Sequence, residues 1–122
     1  MPEKILVAEN ETSLRVLYSR VLSKAGYAVS TAPSCAEALR LAGGTDFALV
    51  VTDLYLDDGL GTGLVDSLKE SGCRAKTVLM SGEAGPAALA EMADRHGINA
   101  FFEKSTDVFR LVDMVGGLLR ED

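Results

Sequence analysis

The sequence predicts an α/β fold, an open parallel sheet of five strands with helices packed on both faces. Three observations predict it. Five short apolar runs recur along the chain, each too short for a helix and several rich in valine or isoleucine. Helix-period patterns lie between them, so the order is βα repeated five times, which calls for parallel strands and right-handed crossovers. A closed (βα) barrel needs eight such units, so the open doubly wound arrangement is preferred.

The strands are expected at Lys4–Ala8, Tyr27–Thr31, Ala48–Thr52, Thr77–Met80 and Ile98–Phe102. The first and third are almost continuously apolar, as strands buried on both faces are. The first helix carries Leu14, Leu17, Tyr18, Val21, Leu22 and Ala25 on one stripe, with Gly26 as its stop. Ser34 and Glu37 have capping-box spacing and start the second helix, which stops at Gly43-Gly44. The third covers about Leu64 to Glu70. Pro86 opens the fourth at a first-turn position, and it ends near His96-Gly97. Leu89, Met92 and Ala93 on it read as core. The fifth shows the stripe Val108, Leu111, Val112, Val115 and Leu119.

With 122 residues, 48% of them hydrophobic and 25% charged, residues 1–122 read as a single globular domain. The formal net charge of −6 sets the surface against nucleic acid and anionic membranes. No direct nucleic-acid or membrane partner is therefore expected. No run approaches the length of a membrane span, and Ile5 to Ala8 is too short for a signal-peptide core. Cys35 and Cys73 have neither metal-ligand spacing nor a disulfide framework and read as reduced packing residues in a cytoplasmic protein. His96 is the only histidine, which argues against His-based catalysis; at a helix end its imidazolium suits the helix dipole.

In open α/β sheets the ligand site lies beyond the carboxyl ends of the strands. The residues there are Glu9-Asn10-Glu11, Asp53, Ser81-Gly82 and Glu103-Lys104. Each has a plain alternative. Asn10 or Glu11 could only cap a helix, Ser81 could only turn a loop, and Lys104 could be a solvated charge. Together they point to a site. Carboxylates and an amide oxygen suit Mg²⁺, an ammonium and a hydroxyl suit a phosphoryl oxygen, and an ionised aspartate between two cations can attack phosphorus.

On ILVAEN, VVTDLYLDDGLG, VLMSG and FFEKS, the chain resembles the receiver domain of two-component response regulators over essentially its whole length. The resemblance implies a chemotaxis-regulator-like, flavodoxin-like doubly wound (βα)5 sandwich with sheet order 2-1-3-4-5. It implies phosphorylation of Asp53 by a histidine kinase or phosphotransfer protein, in a signalling domain that catalyses only its own phosphorylation and dephosphorylation. Ser81 would be the switch hydroxyl, Phe101 the switch aromatic and Lys104 the phosphoryl-pairing lysine. Mg²⁺ would be held by Glu9, Asn10, Asp53 and the main-chain carbonyl of Tyr55. Tyr55 and Glu83 fall where receivers tune dephosphorylation. A downstream protein, or a second copy, would bind the face made by the fourth helix, fifth strand and fifth helix.

The chain departs from the family at three places. Glu9-Asn10 stands where two aspartates are usual, which removes one charge. At 4 Å and an effective dielectric near 20 that charge is worth a ceiling of about 4 kcal/mol per unit of cation charge, so weaker Mg²⁺ binding is expected. Ser105 stands where proline, often cis, is usual, so either the loop is trans with Lys104 aimed differently or strain is stored there. Asp57 stands where proline is common, and Asp57 and Asp58 read as a solvated acidic loop. These departures leave an alternative open, a pseudo-receiver serving as a phosphorylation-independent interaction module. A haloacid-dehalogenase-type phosphatase fits poorly, because Tyr55 stands where that chemistry wants a second acid.

Overall fold

A computed structural model describes residues 2–120. The elements follow in the order β1 (Lys4–Ala8), α1 (Thr12–Lys24), β2 (Ala28–Ala32), α2 (Cys35–Gly44), β3 (Leu49–Asp53), β4 (Tyr55–Leu56), β5 (Gly59–Leu60), α3 (Gly61–Glu70), β6 (Lys76–Ser81), α4 (Pro86–His96), β7 (Ala100–Glu103) and α5 (Val108–Arg120). The main sheet is parallel throughout, in the order β2-β1-β3-β6-β7. Since β4 and β5 form a separate antiparallel pair, this is the 2-1-3-4-5 order of the fold.

The central strands are buried as their composition requires. Ile5 to Ala8 and Leu49 to Val51 are fully inaccessible. Their alternate side chains feed two layers. Ile5, Val7, Leu49 and Val51 pack with Tyr18 and Leu22 of α1 and Leu111 and Val115 of α5. Leu6, Ala8 and Val50 pack with Ala38 of α2 and Leu64 and Leu68 of α3. A third cluster under α4 joins Leu79, Leu89, Ala93 and Ile98, with Met92 and Phe101 at its edge.

Several expected boundaries shift, for local reasons. The Tyr27 N–H is claimed by the Leu22 carbonyl at the end of α1, so β2 starts one residue late, at Ala28. Ile98 N–H closes α4 on Ala93, and Asn99 bonds Thr77 through main chain and side chain, so β7 starts at Ala100. Helix α2 runs through Gly43-Gly44 and is capped by Thr45. Helix α3 starts at Gly61, three residues early. On α1, Leu17 and Ala25 turn out to solvent and leave Tyr18 and Leu22 as the buried residues. Leu118 rather than Leu119 is the buried residue at the end of α5.

The capping signals hold in part. Ser34 Oγ accepts from the Glu37 N–H at 3.2 Å. Glu37 itself does not complete a reciprocal box but pairs with Arg40. Pro86 occupies the first turn of α4, and Gly97 ends that helix at φ 64°, a left-handed conformation that favours glycine. His96 Nδ1 sits there 3.0 Å from the Asp66 carboxylate of α3. Cys35 and Cys73 are half-buried against the α2–α3 layer, as packing residues. Among the described residues no helix is long and apolar enough to cross a membrane.

Candidate functional site

Sheet register places the site. Ala8 pairs with Thr52, so Glu9 and Asp53 leave β1 and β3 side by side. Ser81 pairs with Glu103, and the Lys104 N–H bonds the Ser81 carbonyl at 2.9 Å. The strands thus deliver Glu9, Asp53, Ser81 and Lys104 to one rim. A cleft of about 400 Å³ opens there, lined by Glu9, Asn10, Asp53, Tyr55, Glu83 and Lys104 among others.

Lys104 is the centre of the charge arrangement. Its Nζ lies 2.6 Å from Glu9 Oε1 and 3.1 Å from Asp53 Oδ2. Its side chain is only 15% exposed, so the solvated-charge alternative does not hold. Burial pulls its pKa down, but the bond to Glu9 and the charge of Asp53 outweigh burial, and the ammonium is held above its ordinary range. The described residues contain no cis peptide bond, so the Lys104–Ser105 link is trans. Lys104 nevertheless reaches Asp53, so a trans loop does not aim it elsewhere.

Glu9 is fully buried. Its Oε2 accepts from the Glu11 N–H at 3.0 Å. Oε1 touches the Lys104 ammonium but accepts no well-directed hydrogen bond, and it is the one such buried side-chain oxygen or nitrogen among the described residues. Arg15 Nη1 donates to the Glu9 carbonyl at 2.8 Å and fixes the turn from outside. Formal charges of −1 on Glu9, −1 on Asp53 and +1 on Lys104 leave this set at −1. Among the described residues no three His, Cys, Asp or Glu side chains group to hold a metal by themselves.

Asp53, the last residue of β3, is 6% exposed. The main chain of Asp53 and of Leu54 after it is held by two bonds. Thr52 Oγ1 donates to the Asp53 carbonyl at 2.9 Å, and the Gly61 N–H donates to the Leu54 carbonyl at 2.8 Å. A Cβ on Gly61 would stand 2.1 Å from the Asp53 carbonyl oxygen, so only glycine allows α3 to start this close to β3.

Ser81 is 1% exposed and is not among the residues that line the cleft. Its Oγ accepts from the Glu83 and Ala84 N–H groups at 3.1 and 3.0 Å, so it does turn the loop, while its proton remains free to be donated. Phe101 is half-buried. It touches the cluster under α4 and also lines a groove with Arg110 and Met114 of α5.

The acidic loop is more than a solvated one. Asp57 and Asp58 are exposed, but both have partners. Asp57 Oδ1 accepts from Asn10 Nδ2 at 3.1 Å. The Asp58 carboxylate accepts from the Cys35 N–H at 2.8 Å and the Ala36 N–H at 3.0 Å, at the N-terminus of α2. Those bonds hold its pKa below the ordinary carboxylate value. Arg15, Asp58 and the steric role of Gly61 were missed in the sequence. The Asp58 contact spans 22 and 23 residues, and no local spacing could have signalled it.

A doubly wound sheet with an aspartate, a second acid, a hydroxyl and a lysine at its carboxyl rim defines a receiver domain, and the chain belongs to that family: residues 5–116 match the sequence model of the response regulator receiver domain. It is a signalling domain of two-component systems. It is similar to the photosynthetic apparatus regulatory protein RegA of Rhodovulum sulfidophilum, 32% identical over 87% of this chain and 57% of RegA. It is also similar to the DNA-binding transcriptional regulator NtrC of Rhizobium meliloti, 28% identical over 96% of this chain and 24% of NtrC. The chain thus spans about half the length of the first and a quarter of the second. Among solved structures, NtrX from Brucella abortus superposes with a TM-score of 0.88 at 30% identity, over 98% of this chain and 27% of that one. A CheY-like receiver domain protein from Methanospirillum hungatei JF-1 superposes at 0.89 over 98% and 94%; at 22% identity that likeness bears on the fold alone.

Proposed function

We propose that the chain is a phosphoacceptor: Asp53 takes a phosphoryl group from a phosphohistidine of a histidine kinase or phosphotransfer protein. The observation that carries this reading is the Asp53 carboxylate at the cleft, paired with Lys104 at 3.1 Å. An Asp53 oxygen attacks phosphorus, the O–P bond forms, the P–N bond breaks and its electron pair returns to the imidazole. The ammonium of Lys104 then pairs with a phosphoryl oxygen.

The donor set suits Mg²⁺. Glu9 and Asp53 bring two carboxylates to the cleft against the single ammonium of Lys104, so the Glu9–Asp53–Lys104 set carries one negative charge in excess. Glu9, Asn10, Asp53 and the Tyr55 carbonyl would hold the ion, more weakly than three acids would. Bound there, Mg²⁺ neutralises charge on the phosphoryl oxygens. Tyr55 and Glu83, exposed at the rim, govern water access to the acyl phosphate and hence its lifetime.

Phosphorylation adds charge that only a donor can satisfy. Ser81 leaves the Glu83 and Ala84 N–H groups and donates to the phosphoryl oxygen. Phe101 follows inward, and the face of α4, β7 and α5 changes shape for a downstream protein or a second copy. The ligand shifts a population between two arrangements. The acidic surface argues against direct nucleic-acid contact and the composition fits a cytoplasmic protein.

Incubation with a small phosphodonor and Mg²⁺ tests this reading by intact mass. A gain of about 80 Da is expected, the mass of one phosphoryl group, and none in Asp53→Asn. One observation favours the pseudo-receiver reading. Lys104 is already paired with Glu9 at 2.6 Å, closer than with Asp53 at 3.1 Å, so the lysine has a partner without phosphate. Absence of the adduct with every donor and kinase would decide for that reading.

A further inference from the structure

Asn10 sets a problem for any cation in the cleft. A carboxylate presents oxygen whichever way it turns, but an amide presents oxygen one way and N–H donors the other. An amide free to flip offers the cation a repulsive end half the time. Something must choose its orientation.

Asp57 makes that choice. Its Oδ1 lies 3.1 Å from Asn10 Nδ2, across 47 residues of sequence. A carboxylate is acceptor-only, so the facing atom of Asn10 must be its nitrogen, and the amide oxygen is the other end of a side chain that lines the cleft. Asp57 is itself held in place. The next residue, Asp58, is clamped by the Cys35 and Ala36 N–H groups, and the short β4–β5 pair closes the loop on either side. On the other side, Arg15 Nη1 holds the carbonyls of Glu9 and Asn10 at 2.8 and 3.3 Å. Both ends of the Asn10–Asp57 bond are therefore anchored. The same cleft holds Glu9, fully buried, whose Oε1 is paired with the Lys104 ammonium at 2.6 Å.

We propose that Asp57 is a positioning residue for the cation site: it fixes the Asn10 amide with its oxygen toward the cleft, so that an asparagine can serve where an acid would need no such help. This rests on the Mg²⁺ reading above.

The test is Mg²⁺ affinity by titration calorimetry, with Mg²⁺ alone as the probe. Asp57→Ala is expected to weaken binding about three- to tenfold, the factor one exposed hydrogen bond carries. Asp57→Asn, whose amide oxygen can still accept from Asn10, is expected to retain most of the affinity, which separates orientation from charge. In an Asn10→Asp background there is no amide to orient, and Asp57→Ala is expected to cause no loss. Equal affinity of Asp57→Ala and the unaltered chain, or equal losses in Asp57→Asn and Asp57→Ala, would overturn the proposal while leaving the Mg²⁺ reading intact. Absence of Mg²⁺ binding in both the unaltered chain and Asn10→Asp would overturn both.

Discussion

Lys104 lies closer to Glu9 than to Asp53, 2.6 Å against 3.1 Å. The carboxylate of Glu9, fully buried, reaches across from the end of β1 to that ammonium. Removing one partner of such a pair strands a buried charge. Lys104→Met is expected to cost about 3 kcal/mol in urea unfolding. Glu9→Gln/Lys104→Met should recover at least half of that loss. A double variant no more stable than the single one would show that Glu9 is not the charge Lys104 neutralises.

The same pair sets the alkaline limit. Lys104 and the buried Tyr18 both have pKa values held above their ordinary 10.5 and 10.0. For Tyr18 the cause is first burial, which favours the neutral phenol. A group whose folded pKa is raised contributes fully below its unfolded value and loses that contribution as pH rises through the folded one. Stability is therefore expected to fall above about pH 10, from these two groups. The fall should be shallower in the Glu9→Gln/Lys104→Met variant, measured as urea midpoint against pH.

Gly61 and Gly63 make a matched pair of tests. A methyl on Gly61 meets the Asp53 carbonyl at 2.1 Å, whereas Gly63 faces open space. Gly61→Ala is expected to destabilise by about 1–3 kcal/mol through overpacking. Gly63→Ala is expected to stabilise by about 0.5–1 kcal/mol, as alanine does within a helix. Thermal denaturation of both variants checks the contrast, and equal effects would contradict it.

Asp58 adds to burial in raising the pKa of the thiol beside it. Burial, then the hydrogen bond and charge of Asp58, push the Cys35 thiol up to about 11. Cys35 is expected to alkylate slowly at pH 8, and Asp58→Ala to accelerate it several-fold, read by peptide mass. The carboxyl of Asp58 is held low by the Ala36 and Cys35 N–H groups, so its clamp is intact above the ordinary 3.8 and lost as pH falls through the lower folded value. An alkylation rate untouched by Asp58→Ala would break this link.

The fold was largely legible because the signals that carry it are local. Continuous apolar runs marked β1 and β3, Pro86 and Gly97 bracketed α4, and the strand ends then named Glu9, Asp53, Ser81 and Lys104 as neighbours. What was not legible depends on contacts between distant segments. The β4–β5 pair is too short for any period to show. Asp57 and Asp58 looked merely acidic because their partners, Asn10 and the start of α2, lie far away in sequence. The strand ends point to Glu9 as a metal ligand but not to its pair with Lys104, because no local spacing relates positions 9 and 104.

The central claim is that Asp53, among the acids crowded at this rim, is the phosphoacceptor. Borohydride reduction of the phosphorylated chain tests it directly. Hydride converts an acyl phosphate to the alcohol and releases phosphate, so the modified aspartate is read as homoserine by peptide mass. The account predicts homoserine at position 53 and nowhere else. Homoserine at position 57 or 58, or a chain that takes up phosphate without forming any at position 53, would contradict it.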